Sequence, residues 1–288
     1  MSFITRYLPH AAAALFTLVI GLSATTVFAQ GNAARSEKHR DFCSENNWSS
    51  NDKVSVRDLR EMTVTPSGKI AVDAGRNGGV TVRGEDRSDV LVRACVQAWG
   101  NSEDAAKANV ANIKINTAGK IKAESSSGDE NWSVSYDIRV PRNTDVDLSA
   151  HNGGISITSV DGSLDFETTN GGVFLSDVAG EVKGRTTNGG VFVKLSGNTW
   201  KGNGLDVTTS NGGVNLELPG TYAARVEAGT VNGGFKSTVP ALNVTTEDIR
   251  GEEYGRRRQT RISTTINGGG PTIRVMTTNG GVRISTPE

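Results

Sequence analysis

The sequence predicts an all-β protein: a β-solenoid, or parallel β-helix-like repeat array, behind an N-terminal β cap that contains one short helix. Three observations predict it. Asn-Gly-Gly returns at Asn152, Asn170, Asn188, Asn211, Asn232, Asn267 and Asn279, and once upstream at Asn77. From Asn152 the intervals are 18, 18, 23, 21, 35 and 12 residues, and a near-constant period of about 20 marks a repeat architecture. Aligned on their Asn, the copies share apolar columns. Val146, Leu164, Val182, Leu205, Val226 and Ile273 stand six residues before it, and Leu148, Phe166, Gly184, Val207, Ala228 and Val275 four before. Ile155, Val173, Val191, Val214, Phe235 and Val282 stand three after, and Ile157, Leu175, Val193, Leu216, Ser237 and Ile284 five after. Apolar residues two apart describe a half-buried strand on each side of the motif. Third, the chain holds 35 glycines and only 6% aromatic residues, a composition suited to turn-rich β structure.

Residues 1–29 have the form of an export signal peptide: Arg6, then the apolar run Ala11 to Leu22, then Val27-Phe28-Ala29 as a small-residue cleavage site. The run is short for a spanning helix, so no transmembrane span is expected after cleavage. Without Arg6, 30 basic and 31 acidic residues remain. No global field then favours nucleic acid.

Residues 30–53 are polar and unpatterned, a linker. Cys43 and Cys95 are the two cysteines, and in an exported chain they form a disulfide. Residues 54–144 form the β cap. Lys69 to Val72, Val80 to Val82 and Val90 to Val96 alternate as strands, and Ser102 caps a helix from about Glu103 to Asn112. Trp132, Val134, Tyr136, Ile138 and Val140 alternate up to Pro141.

The solenoid covers 145–288. Asn152, Asn170, Asn188, Asn211, Asn232 and Asn279 are its structural turns. Glycine accepts positive φ without steric cost and Asn tolerates it, so the motif turns the chain. Stacked Asn side chains would hydrogen-bond along the array. If the copies stack in parallel, Asp165, Lys183 and Asp206 become neighbours of alternating sign, as do Glu167 and Arg185. The competing reading makes each Asn-Gly a two-residue hairpin turn, giving an antiparallel meander or sandwich. Residues 239–258, with Pro240, two acidic pairs and Arg256 to Arg258, form an inserted loop.

Along Gly68-Lys-Ile-Ala-Val, Asn77-Gly-Gly-Val-Thr-Val, the helix after Trp99, Ile138-Arg-Val-Pro141, the Asn-Gly-Gly ladder, Leu218-Pro219, Gly269-Gly270-Pro271 and Thr278-Asn-Gly-Gly-Val, the chain resembles the putative-adhesin domain family of bacterial envelope proteins. The resemblance runs from Val54 to Ser285. It implies an exported, β-solenoid-like, non-catalytic protein of the periplasm or cell surface. It implies no ligand and no set of functional residues.

The residues themselves offer little chemistry. His39 and His151 have no Gly-x-Ser-x-Gly partner, and Asp161 and Asp177 are out of the register a calcium-binding corner needs. No phosphate loop, cofactor or metal motif occurs. Phe174 and Phe192 stand one repeat apart in an outward column that elsewhere holds Ser156, Asn215, Lys236 and Arg283, a candidate surface for a sugar ring or partner protein. The function expected is adhesin-like binding or scaffolding of an envelope glycan or protein. The alternative is a polysaccharide lyase or glycoside hydrolase on a β-helix scaffold, with Asp165 and Glu167 as its acids.

Overall fold

Each Asn-Gly-Gly joins a strand of one sheet to a strand of another, and the apolar columns face each other between the two. The computed structural model describes residues 42–43, 53–66, 68–128, 131–242, 245–250 and 256–287. The expected signal peptide and most of the 30–53 linker lie outside the described residues.

The strands before the corners are β8 (Val146–Ala150), β10 (Asp161–Asn170), β12 (Ala179–Asn188), β14 (Gly204–Asn211), β16 (Ala224–Asn232) and β20 (Thr272–Asn279). Those after are β9 (Ile155–Thr158), β11 (Val173–Ser176), β13 (Val191–Lys194), β15 (Val214–Glu217), β17 (Phe235–Ser237) and β21 (Val282–Ser285). The pairing is parallel, with Leu164 opposite Val146 and Val182, and Val182 opposite Leu205. Parallel register decides for the solenoid and against the meander. Val146, Leu148, Leu164, Val182, Leu205, Val207, Ile155, Ile157, Leu175 and Leu216 are all buried in one continuous core. Gly184, the gap in its column, is filled from the next coil: a Cβ there would lie 2.0 Å from the Phe166 ring.

The stacking order departs from chain order at one place. In both sheets the last coil, β20 and β21, lies between β14/β15 and β16/β17. The copies therefore do not stack wholly in chain order. The final Asn-Gly-Gly enters the array because its columns match those of either neighbour.

The expected inserted loop is also corrected. Residues 245–250 and 256–266 form strands β18 (Thr245–Arg250) and β19 (Arg256–Ile266), an antiparallel hairpin laid on β16 at the edge of the sheet. The Asn267 copy is not a coil corner. Asn267 has φ 47° and its Nδ2 donates to the Gly220 and Tyr222 carbonyls, each at 2.9 Å. That explains its short interval to Asn279.

At the N-terminal end both sheets continue into residues 54–144. β2 (Ile70–Asp73) pairs in parallel with β8, and β3 (Val80–Glu85) with β9. Ile70 and Val72 sit one residue out of the later register. The extra residue is absorbed where Gly75 takes φ 66°. β1 (Val54–Val64), β4 (Val90–Gly100) and β7 (Trp132–Pro141) complete that sheet, with β4 antiparallel to both its neighbours. The first of these carries charges on both sides, Arg57 and Glu61 on one and Asp58 and Arg60 on the other, which hid it in the sequence. Helix α1 (Glu103–Ala111) is N-capped by Ser102, whose Oγ accepts from the Ala105 N–H at 3.2 Å; it buries Ala106 and Val110, while Ala105 is exposed. β5 (Ile113–Asn116) and β6 (Ile121–Ser125) extend the other sheet from β2.

Candidate binding surface

The outer face of the sheet holding β9, β11, β13 and β15, with the corner that leads into it, carries three parallel rows of residues, because a strict stack repeats each position along its axis. The first is the Asn row. Nδ2 of Asn152 donates to Oδ1 of Asn77 at 3.1 Å, and Asn170, Asn188, Asn211, Asn279 and Asn232 continue the chain, each link 2.8 Å. Every amide points the same way, so the links polarise one another.

The second row is glycine, required for a reason other than the positive φ that the motif suggests. None of the paired glycines after Asn152, Asn170, Asn188, Asn211, Asn232 or Asn279 has φ in the left-handed region. The first glycine is demanded by close stacking. A Cβ on Gly153, Gly171, Gly189, Gly212 or Gly280 would lie 2.0 Å from a glycine carbonyl oxygen of the adjacent coil. The second glycines Gly172, Gly190 and Gly213 have room for one, their nearest atoms lying at 3.4–3.5 Å; they floor an open trough. Beneath the corners runs a column the sequence reading missed. Thr168, Thr186, Thr209, Thr277 and Thr230 are buried, and each Oγ1 donates to a glycine carbonyl of the neighbouring coil at 2.7–2.8 Å. A Thr two residues before five of the Asn was the available signal.

The third row reads, in stacking order, Glu61, Arg93, Asp137, Thr81, Ser156, Phe174, Phe192, Asn215, Arg283 and Lys236. The Phe174 and Phe192 rings stack at 5.2 Å between centroids and 6° between planes. Phe174 is 40% exposed and, with Val54, is one of two exposed large apolar side chains among the described residues. Each ring covers one face of the other. Two faces remain for a ligand, one on the Ser156 side and one on the Asn215 side.

On the Ser156 side the trough forms a concavity of about 670 Å³ between Phe42 and Phe174, floored by Gly79, Gly154 and Gly172. Phe42 is held there by the neighbouring disulfide, Cys43 to Cys95, and lies 5.7 Å from the Arg93 guanidinium. Arg93 also bonds Glu61 (2.7 Å) and Asp137 (3.2 Å). The Glu61 hydrogen bond is the first cause that holds its pKa above the usual value. On the Asn215 side a second concavity of about 710 Å³ is lined by Phe192, Phe235, Lys236 and Arg283.

The opposite sheet's outer face carries the charge rows. Asp165 pairs in register with Lys183, Lys183 with Asp206, and Glu167 with Arg185. Arg185 bonds Glu167 at 2.9 Å, Lys69 bonds Asp165 at 3.0 Å, and Arg274 bonds Asp206 at 2.8 Å. Lys183 turns to Glu181 within its own strand, and that bond is the main cause of its raised pKa; Asp165 and Asp206 add to it across the coils. His151 lies at an exposed corner, its N–H donating to the Gly75 carbonyl. Among the described residues, no group of three His, Cys, Asp or Glu side chains is placed to hold a metal ion. Nor is any helix there long and apolar enough to cross a membrane.

A family profile described as Toastrack DUF4097 matches residues 44–285. Several solved structures are similar to the chain at low identity and low TM-score. A putative cell adhesion protein from Clostridium sporogenes ATCC 15579 is 14% identical over 81% of this chain and 100% of its own, with a TM-score of 0.42. A putative adhesin from Bacteroides fragilis NCTC 9343 is 12% identical over 80% and 97%, with a TM-score of 0.29. A putative lipid binding protein from Parabacteroides distasonis ATCC 8503 is 10% identical over 81% and 97%, at 0.26. No curated protein matches the chain.

Proposed function

The chain belongs to the Toastrack DUF4097 family, and from that premise we propose that it is a non-catalytic, exported cell-envelope protein that binds an envelope glycan. The ligand lies in the trough between the Asn row and the Phe174–Phe192 ridge. One observation carries the reading: a glycine floor, an amide rail and an exposed aromatic pair run side by side along the stack. Aromatic faces receive the apolar face of a sugar ring, and amide groups at the strand spacing of about 4.8 Å offer donors and acceptors to its hydroxyls. Residues 54–144 act as the cap that ends the array. Export to the periplasm or cell surface is supported by the Cys43–Cys95 disulfide and by the leader-like first 29 residues.

The non-catalytic part rests on the acids available. Asp165 and Glu167, the pair an enzyme would use, are engaged by Lys69 and Arg185 on the opposite outer face. The test is a glycan array followed by chromatography of bound saccharides. The expected result is binding without chain cleavage, lost in the Phe174→Ala/Phe192→Ala double variant. Normal binding by that variant, or release of shortened saccharides, would overturn the proposal.

A further inference from the structure

The Asn row ends at Asn77, and what lies beyond it is unlike the rest of the trough. The Val134 N–H donates to the Asn77 carbonyl at 3.1 Å. That places Ser133 on β7 and its register partner Gln97 on β4 as the next members of the row. Around them is a concavity of about 640 Å³ that also holds Lys53, Trp99 and Asn131 on its walls. It shares Gly79, Ser135 and Gly154 with the Phe42–Phe174 concavity, so a chain lying in the trough runs directly into it.

Two amide nitrogens, those of Asn77 and Gln97, line it beside a lysine. Because each amide in the row donates toward Asn77, the donor end of the row emerges here. The Asn77 Oδ1 accepts from Asn152, and its Nδ2 has no acceptor among the described residues. Gln97 is 6% exposed, and its Nε2 is buried with no hydrogen-bond partner among the described residues. A buried, unpaired amide costs stability, so its presence on the wall of a concavity points to an absent partner. Lys53 adds a cation whose Nζ donates, among the described residues, to a neutral group, Asn131 Oδ1 at 3.0 Å, and no Asp or Glu among the described residues lines the site. The missing partner is therefore an anionic acceptor. The Trp99 ring on the same wall favours a sugar as its carrier.

We infer that this concavity is a terminal subsite for a carboxylated sugar, which makes the glycan of the proposed function an acidic one. The inference rests on that reading. Its carboxylate takes hydrogen bonds from Gln97 and Asn77 with Lys53 close by, and the following sugars run along the glycine floor toward Phe174. The polarity of the amide row fixes which end of the saccharide enters.

The experiment is calorimetric titration of the full chain with tetragalacturonate and with its methyl ester, which keeps the shape and removes the charge. Wild type is expected to bind the acid at least about tenfold more tightly than the ester, the scale of a hydrogen bond to a charged group. Lys53→Gln/Gln97→Leu is expected to bring the two to equal affinity. Gln97→Leu alone is expected to raise the thermal midpoint, since it removes a buried unpaired amide. Equal binding of acid and ester by wild type overturns the subsite and leaves the glycan reading standing. So does a preference that survives the double variant, or preferential capture of a carboxylate-terminated tripeptide in the same titration. Failure of both saccharides to bind, with no hit on the array, overturns the glycan reading and the subsite together. A lowered midpoint in Gln97→Leu with the charge preference intact assigns Gln97 to the core alone.

Discussion

The two glycines of one corner should respond to the same substitution in opposite ways. In Gly171→Ala the new Cβ would lie 2.0 Å from the Gly153 carbonyl oxygen, 2.4 Å from its carbon and 2.8 Å from the Gly154 nitrogen, where ordinary contacts begin at 3.4 Å. All three are backbone atoms, so no side chain can rotate away. The coils cannot separate either, since parallel ladders fix their spacing on both sides. Overpacking a rigid site costs about 1–3 kcal/mol and occasionally more. A backbone-on-backbone clash belongs at the top of that range, about 3 kcal/mol. For a chain of this size that lowers Tm by roughly 6–12 °C. In Gly172→Ala the nearest atom is the Gly190 oxygen at 3.5 Å, an ordinary contact. Its φ is outside the left-handed region, so alanine should be neutral or stabilise by up to about 1 kcal/mol through the unfolded chain. Thermal and urea unfolding followed by far-ultraviolet circular dichroism measures both, and Gly189→Ala against Gly190→Ala repeats the contrast one coil on. Had positive φ been the reason for the glycines, both members of each pair would be intolerant. Equal destabilisation by Gly171→Ala and Gly172→Ala would therefore refute the stacking argument.

Thr186→Val keeps the shape but removes the donor to the Gly171 carbonyl; urea midpoints should report a loss of about 1–3 kcal/mol. Asn188→Asp sets two acceptors face to face at the Asn170 link, so it should be less stable than Asn188→Ala at neutral pH. The order should reverse near pH 3, where a protonated carboxyl can donate. Reduction of the Cys43–Cys95 disulfide releases a closure of 52 residues, about 4 kcal/mol in the chain-entropy account, to be read as a fall in Tm with dithiothreitol. Burial pushes the Tyr222 phenol up to about 12, and the buried Tyr136 phenol is also raised, chiefly by burial. Both folded values exceed the unfolded value of about 10. The stability they contribute is intact below about pH 10 and is lost as pH rises toward 12. Tyrosinate absorbance alongside urea midpoints checks this, and native-state ionisation of both phenols near pH 10 would contradict it.

The solenoid was legible because its physics is periodic. One residue per coil at each depth of the core makes Val146, Leu164, Val182 and Leu205 line up on paper as they do in space. The same periodicity displayed the Asn row and the Phe174–Phe192 pair. It could not distinguish a glycine needed for its φ from one needed for a close approach, because both look identical in a string. Only the adjacent coil's carbonyl, brought in by the fold, separates Gly171 from Gly172. The subsite at Gln97 was hidden for the opposite reason. Asn77, Gln97, Ser133 and Lys53 share no local pattern, and their row exists only because an antiparallel strand delivers Gln97 to the end of a parallel ladder. β1 was missed because Arg57, Asp58, Arg60 and Glu61 mask its alternation.

The late insertion of the last coil ties the two ends of the array's assembly together. β20 pairs with β14 on one side and β16 on the other, so residues 224–237 cannot reach their place in the stack until residues 272–285 are present. The intervening hairpin, β18 and β19, then closes the edge of β16 in antiparallel fashion. A parallel array that ended at β16 would present an unpaired ladder to any other strand, a template for edge-to-edge association. Antiparallel strands end one sheet at β1 and β4 and the other at β18 and β19, while the first sheet's far edge is the short parallel strand β17. A parallel stack can add another coil indefinitely, whereas an antiparallel strand on its end breaks the register that a further coil would need. The same device that stops growth at the N-terminal end also carries Gln97 and Trp99 to the mouth of the trough. On this structure the termination of the array and the creation of the acidic-sugar subsite are one event, and a ligand's end is recognised where the protein's own repeat ends.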